Sequence, residues 1–183
     1  LDGVTGVQTC ALPIFLEIGA GTGIYTIPLA RRCREITAIE LSRNMVTVLK
    51  NKASREGLSN IIFMNRDISD ITPADQYDSV CAFSSFEYIT DLGNLIRNLS
   101  MSIRPGGIIY FTTAHRSFFR FFTQIGNALR QGLWLHARTK NEVRKILSRS
   151  GFDGISVSTH AMKWPLLGGI LLEAKAVKTG TGR

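Results

Sequence analysis

The feature that most constrains this chain is a glycine-rich turn set between a short apolar run and a helical pattern. Phe15 to Ile18 reads as a buried strand, Gly19-Ala-Gly-Thr-Gly23 follows, and Ile24 to Cys33 has helical spacing with Ile27, Leu29 and Ala30 available for burial. Glycines at such a junction let the backbone adopt left-handed conformations and pass close to a ligand at a helix N-terminus. The spacing is G-x-G-x-G; the last glycine of a dinucleotide fingerprint would fall on Ile24, which disfavours an ordinary NAD dehydrogenase. The alternation then continues. Glu35 to Leu41 is strand-like, and Ser42 can cap a helix that turns Met45, Val46, Val48 and Leu49 inward and ends near Gly57. Ile61 to Met64 and Ser79 to Phe83 are further strands, and Leu92 to Ile103 is a helix. Arg104-Pro-Gly-Gly107 is a turn into a fifth strand, Ile108 to Thr112. Strands separated by crossover helices predict a doubly wound α/β fold with a parallel sheet covered on both faces.

Three strand ends then carry chemistry. Behind the glycine turn, Glu40 ends the second strand, where a carboxylate can accept both hydroxyls of a ribose, and Asp67 closes the third, where it can meet an adenine amine. Each residue has a plainer explanation: Gly23 as close helix–strand packing, Met45 as core, Asp67 as a turn cap. Glu40 is the sharpest of the set, because a carboxylate ending a buried parallel strand is costly without a partner and a ribose supplies one.

In combination these segments resemble the class I S-adenosylmethionine-dependent methyltransferases. The resemblance runs from Phe15 to about Thr113 and rests on Leu16-Glu-Ile-Gly-Ala-Gly-Thr-Gly23, Ile39-Glu-Leu-Ser-Arg-Asn-Met45, Asn65-Arg-Asp67, Tyr77-Asp-Ser-Val-Cys-Ala-Phe83 and Arg104-Pro-Gly-Gly107, in family order. It implies a mostly parallel, seven-stranded Rossmann-like sheet with an antiparallel last strand, and S-adenosyl-L-methionine as cofactor. Carried over by position, Gly19, Gly21 and Gly23 would surround the methionine moiety, and Glu40 would hold the ribose. Met45 and Ile68 would sandwich adenine, Asp67 would bind its amine, Phe83 and Ser84 would border the methyl donor, and Glu17, Ala20, Thr22 and Leu41 are further expected cofactor-binding residues. His115, directly after the fifth strand, is a candidate base for an acceptor that bears a proton, and Tyr88, beside Glu87, is the weaker candidate. No metal site is expected.

The net charge of +8 is unevenly placed: residues 1–113 hold 10 basic and 11 acidic residues, and residues 114–183 hold 12 and 3. Within the basic part, Phe118, Phe121, Phe122, Ile125 and Leu129 recur at helical spacing among Arg116, Arg120, Arg130 and Arg138, with Phe119 and Trp134 adding apolar area. One reading is an acceptor-side lid that touches an anionic lipid or membrane surface; base stacking on RNA and a plain packing helix are the others. Thr139-Lys-Asn-Glu142 is a capping-box signature for a helix from Lys140 to Ser150, stopped by Gly151. Ile155 to Thr159 and Gly169 to Val177 are joined too closely for a crossover, so they pair antiparallel.

The DNA amino-methylating tetrapeptide is absent, since Ser84-Ser-Phe86 stands in its place, and no Pro-Cys nucleophile appears there. A small apolar or aromatic acceptor is therefore expected, with nucleic acid a lesser option and a non-catalytic adenosylmethionine-binding domain the competing class. Cys10, Cys33 and Cys81 form no C-x-x-C pair, and no membrane-spanning run is present, which together suggest a reduced, cytoplasmic protein. Val4-Thr-Gly-Val-Gln-Thr-Cys-Ala-Leu-Pro-Ile14 resembles, residue for residue, a translated short-read sequencing adapter, and Pro13 is out of character at a central strand. Residues 1–14 are expected to be non-native, ahead of a single domain over 15–178 and a flexible tail over 179–183. The cofactor-binding half of that domain would span 15–113 and the acceptor-side lid and hairpin 114–178. Native sequence lost before Phe15 would leave this chain a weak binder.

Overall fold

Apolar runs flanked by glycine and polar turns become strands, and the amphipathic stretches between them become the covering helices. The structure, a computed structural model, describes residues 12–68, 77–116, 135–161 and 170–180. In chain order the elements are β1 (Ile14–Ile18), α1 (Thr26–Ala30), β2 (Glu35–Ile39), α2 (Arg43–Arg55), β3 (Ile61–Met64) and β4 (Tyr77–Phe83). A 3-10 turn (Phe86–Tyr88) leads to α3 (Leu92–Ser100), β5 (Ile103–Ala114), α4 (Lys140–Arg149), β6 (Phe152–Ala161) and β7 (Ile170–Lys178). Among the described residues the strands form one seven-stranded sheet in the order β3-β2-β1-β4-β5-β7-β6. β1 to β5 pair in parallel, while β7 runs antiparallel between β5 and β6. This is the expected doubly wound sheet with its antiparallel last strand.

Strand alternation divides the core into two layers. Leu16, Ile18, Val80, Ala82, Ile109 and Phe111 face α3 and α4, meeting Leu92, Ile96, Leu99, Val143 and Leu147. On the other face Ile36, Ala38 and Ile61 pack with Ile27, Ala30, Leu49 and Ala53 of α1 and α2. Each fully buried Leu, Ile or Phe contributes roughly 1.5–3 kcal/mol, so the sheet carries both layers. Among the described residues no helix is long and apolar enough to cross a membrane.

Several boundaries differ from the sequence expectation. β1 begins at Ile14, whose N–H donates to Asp78 Oδ2 at 2.7 Å, and Pro13 sits just ahead of it with its carbonyl accepting from Arg34 N at 3.0 Å. A proline there removes no ladder donor. The helix expected from Ile24 starts only at Thr26 because Gly23, at φ +86°, is still in the turn, its N–H bonded to the Ala20 carbonyl. Pro28 lies in the first turn of α1, where its missing N–H goes unnoticed. β2 stops at Ile39, short of Leu41. α2 buries Val46 and Leu49, while Met45 and Val48 stay 44% and 42% exposed. Successive helix positions are 100° apart, so a helix stripe cannot turn all four inward.

The Arg104–Gly107 turn belongs to β5 itself: Ile103 pairs with Tyr77, Ile108 with Ser79, and the register shift between them absorbs the extra residues. α3 correspondingly ends at Ser100. Two caps match the sequence closely. Ser42 Oγ accepts from Met45 N, and Thr139 and Glu142 form a full capping box at 3.2 and 2.6 Å. The aromatic stretch from Phe118 to Trp134 and the segment before Leu12, Cys10 included, lie outside the described residues.

Candidate functional site

The carboxyl ends of β1, β2, β3 and β4 open into one cavity of about 440 Å³. Gly19 and Gly21 supply its floor after β1, and Glu40 and Leu41 its wall after β2. Met45 of α2, with Asp67 and Ile68 after β3, forms the next side, and Ser84 and Tyr88 after β4 close it. These are the residues the sequence placed there. Topology explains the convergence: in a doubly wound sheet the switch between β1 and β4 leaves a crevice at this end.

Glu40 is held in place. Gly21 N donates to its Oε2 at 2.9 Å and Ser42 N to its Oε1 at 2.8 Å, so the carboxylate ties the glycine turn to the start of α2. An ionised carboxylate offers about four acceptor positions, and two remain for hydroxyls of a ligand. Lys52 supports the same loop from below, donating from Nζ to the Thr22 carbonyl at 2.8 Å. Gly19 admits no side chain: at φ +70°, a Cβ would lie 2.6 Å from Ser85 Cβ, and Ser85 is fixed by its hydroxyl bond to the Ile18 carbonyl. Ser84 holds φ +50°, an uncommon conformation for a residue with a side chain, with its N–H donating to both carbonyl and hydroxyl of Thr112 at 3.1 Å. Backbone held out of its preferred region clusters where a structure positions groups for function.

Five of the expected residues are not among those lining the cavity. Glu17 is 1% exposed and points into the α1 side of the sheet, beneath the glycine turn and not along the cavity wall. Burial pushes its carboxyl from 4.5 up to about 7, an effect the nearby Thr26 hydroxyl partly opposes. Among the described residues neither Glu17 Oε2 nor Thr26 Oγ1 has a hydrogen-bond partner. Ala20 packs into the core beside Leu49, Thr22 contributes its carbonyl to Lys52, and Gly23 turns toward the Leu49 side chain. Phe83 faces away from the cavity, stacked on Tyr25 with centroids 3.8 Å apart and tilted against Tyr110. Alternate residues of a turn or strand point to opposite sides, so a continuous motif cannot line one cavity throughout.

At the cavity rim after β4, Tyr88 is 55% exposed. His115 stands directly after β5, bridged to Arg138, outside the cavity lining. Its Nδ1 is buried and finds no hydrogen-bond partner among the described residues. Burial, and then the charge of Lys140, hold the imidazole below its ordinary pKa, which favours the neutral, basic form.

Residues 15–107 match the family model described as a methyltransferase domain. The chain belongs to the class I S-adenosylmethionine-dependent methyltransferases. Among curated methyltransferase relatives, the ubiquinone biosynthesis O-methyltransferase of Coxiella burnetii is 31% identical over 104 residues, 56% of this chain and 44% of that protein. The malonyl-[acyl-carrier protein] O-methyltransferase of Bacillus anthracis is 33% identical over 100 residues, 54% of this chain and 36% of that one. This chain thus spans less than half the length of these relatives. In fold it is similar to a phosphoethanolamine N-methyltransferase of Haemonchus contortus solved with S-adenosylhomocysteine, at TM-score 0.78 and 16% identity, covering 93% of this chain and 50% of that one.

S-adenosylmethionine is the methyltransferase family's cofactor, and the residues present fit it. A pinned carboxylate with spare acceptor capacity suits vicinal hydroxyls, Met45 and Ile68 give apolar faces for a base, and nothing lies within 4 Å of a Cβ built on Gly21. Sequence reading missed Ser85, Ile89 and Arg66 as further cavity walls, and His136 and Arg138 as neighbours of the β4 exit. No motif announces the last two; they arrive there only because the chain returns from beyond β5 to the same edge.

Proposed function

We propose that this chain transfers a methyl group from S-adenosylmethionine to an oxygen of a small, apolar or aromatic acceptor. The observation that carries the reading is that four consecutive strand ends meet in one cavity whose wall holds the carboxylate of Glu40. Bound S-adenosylmethionine supplies an electrophilic methyl on its sulfonium, so the protein's work is alignment and exclusion of water. Glu40 accepts from the ribose hydroxyls, Leu41 supports that wall, Met45 and Ile68 hold adenine between them, and Asp67 orients it. Gly19 and Gly21 leave room for the methionine moiety, with Ser84 beside the methyl donor. Tyr88 borders the acceptor, and His115 takes the proton from its hydroxyl. The O-methyltransferase relatives support an oxygen acceptor. Tyr88, exposed at the rim of the cavity, supports an apolar or aromatic one. A reducing, cytoplasmic setting belongs to the same reading, supported by the free thiols of Cys33 and Cys81.

Isothermal titration with adenosylhomocysteine and, separately, NAD tests the cofactor assignment: binding of the first and not the second is expected. Tight binding of NAD alone would falsify it. Binding of adenosylhomocysteine without methyl transfer to any of a panel of phenols, quinols and carboxylic acids favours the non-catalytic class instead. The basic segment from His115 to Arg138 supports a further element of this reading, contact with an anionic lipid surface. Flotation at low salt with anionic vesicles is expected to carry the protein upward; its absence from the vesicle fraction removes the lipid contact, and retention on RNA in its place transfers the basic segment to nucleic acid.

A further inference from the structure

Three carbonyls of the short turn after β4, those of Glu87, Ile89 and Thr90, accept hydrogen bonds from residues 136–138. Residues 136–138 return to the sheet edge from beyond β5 and lie against the turn. His136 N donates to the Glu87 carbonyl at 2.6 Å, and the His136 ring lies 3.3 Å from Thr90 Oγ1. Arg138 Nη2 donates to the carbonyls of both Ile89 and Thr90, at 2.8 and 2.9 Å. The backbone of Arg138 is meanwhile fixed to the exit of β5, its N–H on the Ala114 carbonyl at 2.9 Å and its carbonyl receiving Arg116 N at 2.8 Å. Arg116 Nε reaches the Ala137 carbonyl at 3.3 Å, and its guanidinium pairs with Glu142 at 3.1 Å, inside the capping box that opens α4.

The geometry points to Arg138 as a positioning residue: it fastens the later part of the turn, bearing Tyr88 and Ile89, to the exit of β5, so that the docked returning segment sets the position of this part of the cavity wall. This rests on the cavity being the cofactor site. Tyr88 and Ile89 line it. The start of their turn is anchored by Ser84 N on Thr112, by the Ser85 hydroxyl on the Ile18 carbonyl and by the buried Phe86 ring, while further along Tyr88 N to Ser85 O and Ile89 N to Phe86 O are long, at 3.3 and 3.2 Å. A planar guanidinium can satisfy two adjacent carbonyls from one rigid group, which an ammonium on a flexible stem cannot do in the same fixed geometry. Arg138 therefore joins the two halves of the site, the cavity wall after β4 and the segment that carries His115 after β5.

Two readouts on Arg138→Met and Arg138→Lys test this. Hydrogen exchange on the ligand-free protein is expected to show faster exchange of the Tyr88 and Ile89 amides in Arg138→Met, with α3 and β5 protected as in the parent. Titration with adenosylhomocysteine is expected to show about a tenfold loss of affinity, the scale of one charge-assisted hydrogen bond, and Arg138→Lys is expected to lie between the two. Unchanged exchange at Tyr88 and Ile89 overturns the clamp. Faster exchange with affinity retained within about twofold overturns its link to the cavity. Should the parent protein itself fail to bind adenosylhomocysteine, the cofactor reading falls, and the exchange data still decide whether Arg138 holds the turn. If Arg138→Met does not fold, Arg138→Lys alone carries both measurements, with an intermediate loss required.

Discussion

Glu17→Gln is expected to be stabilised relative to the parent protein as pH rises, with the difference growing by about 3 kcal/mol between pH 4 and pH 8. Below the ordinary carboxyl value of 4.5 the group is protonated in both folded and unfolded chains and contributes nothing pH-dependent. Through 4.5 the unfolded chain gives up its proton, while burial makes the folded chain keep its own until about 7. The folded state then binds more protons than the unfolded one, so stability falls across that window and stays lower above it. A carboxyl displaced from 4.5 to about 7 corresponds to about 3 kcal/mol once fully ionised. Glutamine does not titrate, so it escapes this loss; its buried amide adds only an offset that is the same at every pH. Urea titrations of both proteins over this range check the slope. A constant difference at all pH values sinks the idea, because it means that water or a rearranged Thr26 solvates the carboxylate.

The same residue marks where sequence reasoning stops. The glycine turn, the order of strands and the three acidic or polar strand ends were readable because each rests on local rules: strand runs, caps and glycine spacing. Ser42 and the Thr139–Glu142 box behave as their residue types dictate. Glu17, Ala20, Thr22 and Gly23 of the glycine motif, and Phe83 at the end of β4, lie outside the cavity lining. The direction of a side chain at a turn depends on which face its neighbours already occupy, as with Leu49 behind Gly23 and Tyr25 over Phe83. His136 and Arg138 were invisible for a different reason. Their bonds to the carbonyls of Glu87, Ile89 and Thr90 span 48 or 49 residues, and backbone carbonyls carry no sequence signature.

The basic excess also acquires a structural meaning in part. Arg116, Arg138 and Lys140 are spent on Glu142, on carbonyls and on the surroundings of His115. Charge that looks like a binding surface in the sequence is thus partly scaffolding that ties the exits of β4 and β5 to the start of α4. Among the described residues, Lys145 and Arg149 are exposed on the outward face of α4, where Arg144 donates to the Val157 carbonyl at 3.2 Å.

The largest loss of binding is expected at Glu40. Replacing it with alanine removes the acceptor for two ligand hydroxyls and, in the same step, strands the N–H groups of Gly21 and Ser42 that the carboxylate now engages. Hydrogen bonds to a charged group contribute about 1.5–3 kcal/mol each, so losing two from the ligand predicts a fall in adenosylhomocysteine affinity of about 100-fold or more. Glu40→Gln separates the two roles. An amide oxygen can still accept from one backbone N–H, but the amide nitrogen opposes the other and offers the ribose a donor where an acceptor is needed. Its affinity is expected to fall nearly as far while its thermal midpoint stays closer to the parent than that of Glu40→Ala. The decisive comparison uses adenosylhomocysteine against its 2′-deoxy analogue. In the parent protein, deleting the 2′-hydroxyl costs affinity; in Glu40→Ala the same deletion is expected to cost almost nothing, because its partner has gone. An undiminished penalty in the variant means that another group reads the ribose, and Glu40 then serves only to tie the glycine turn to α2.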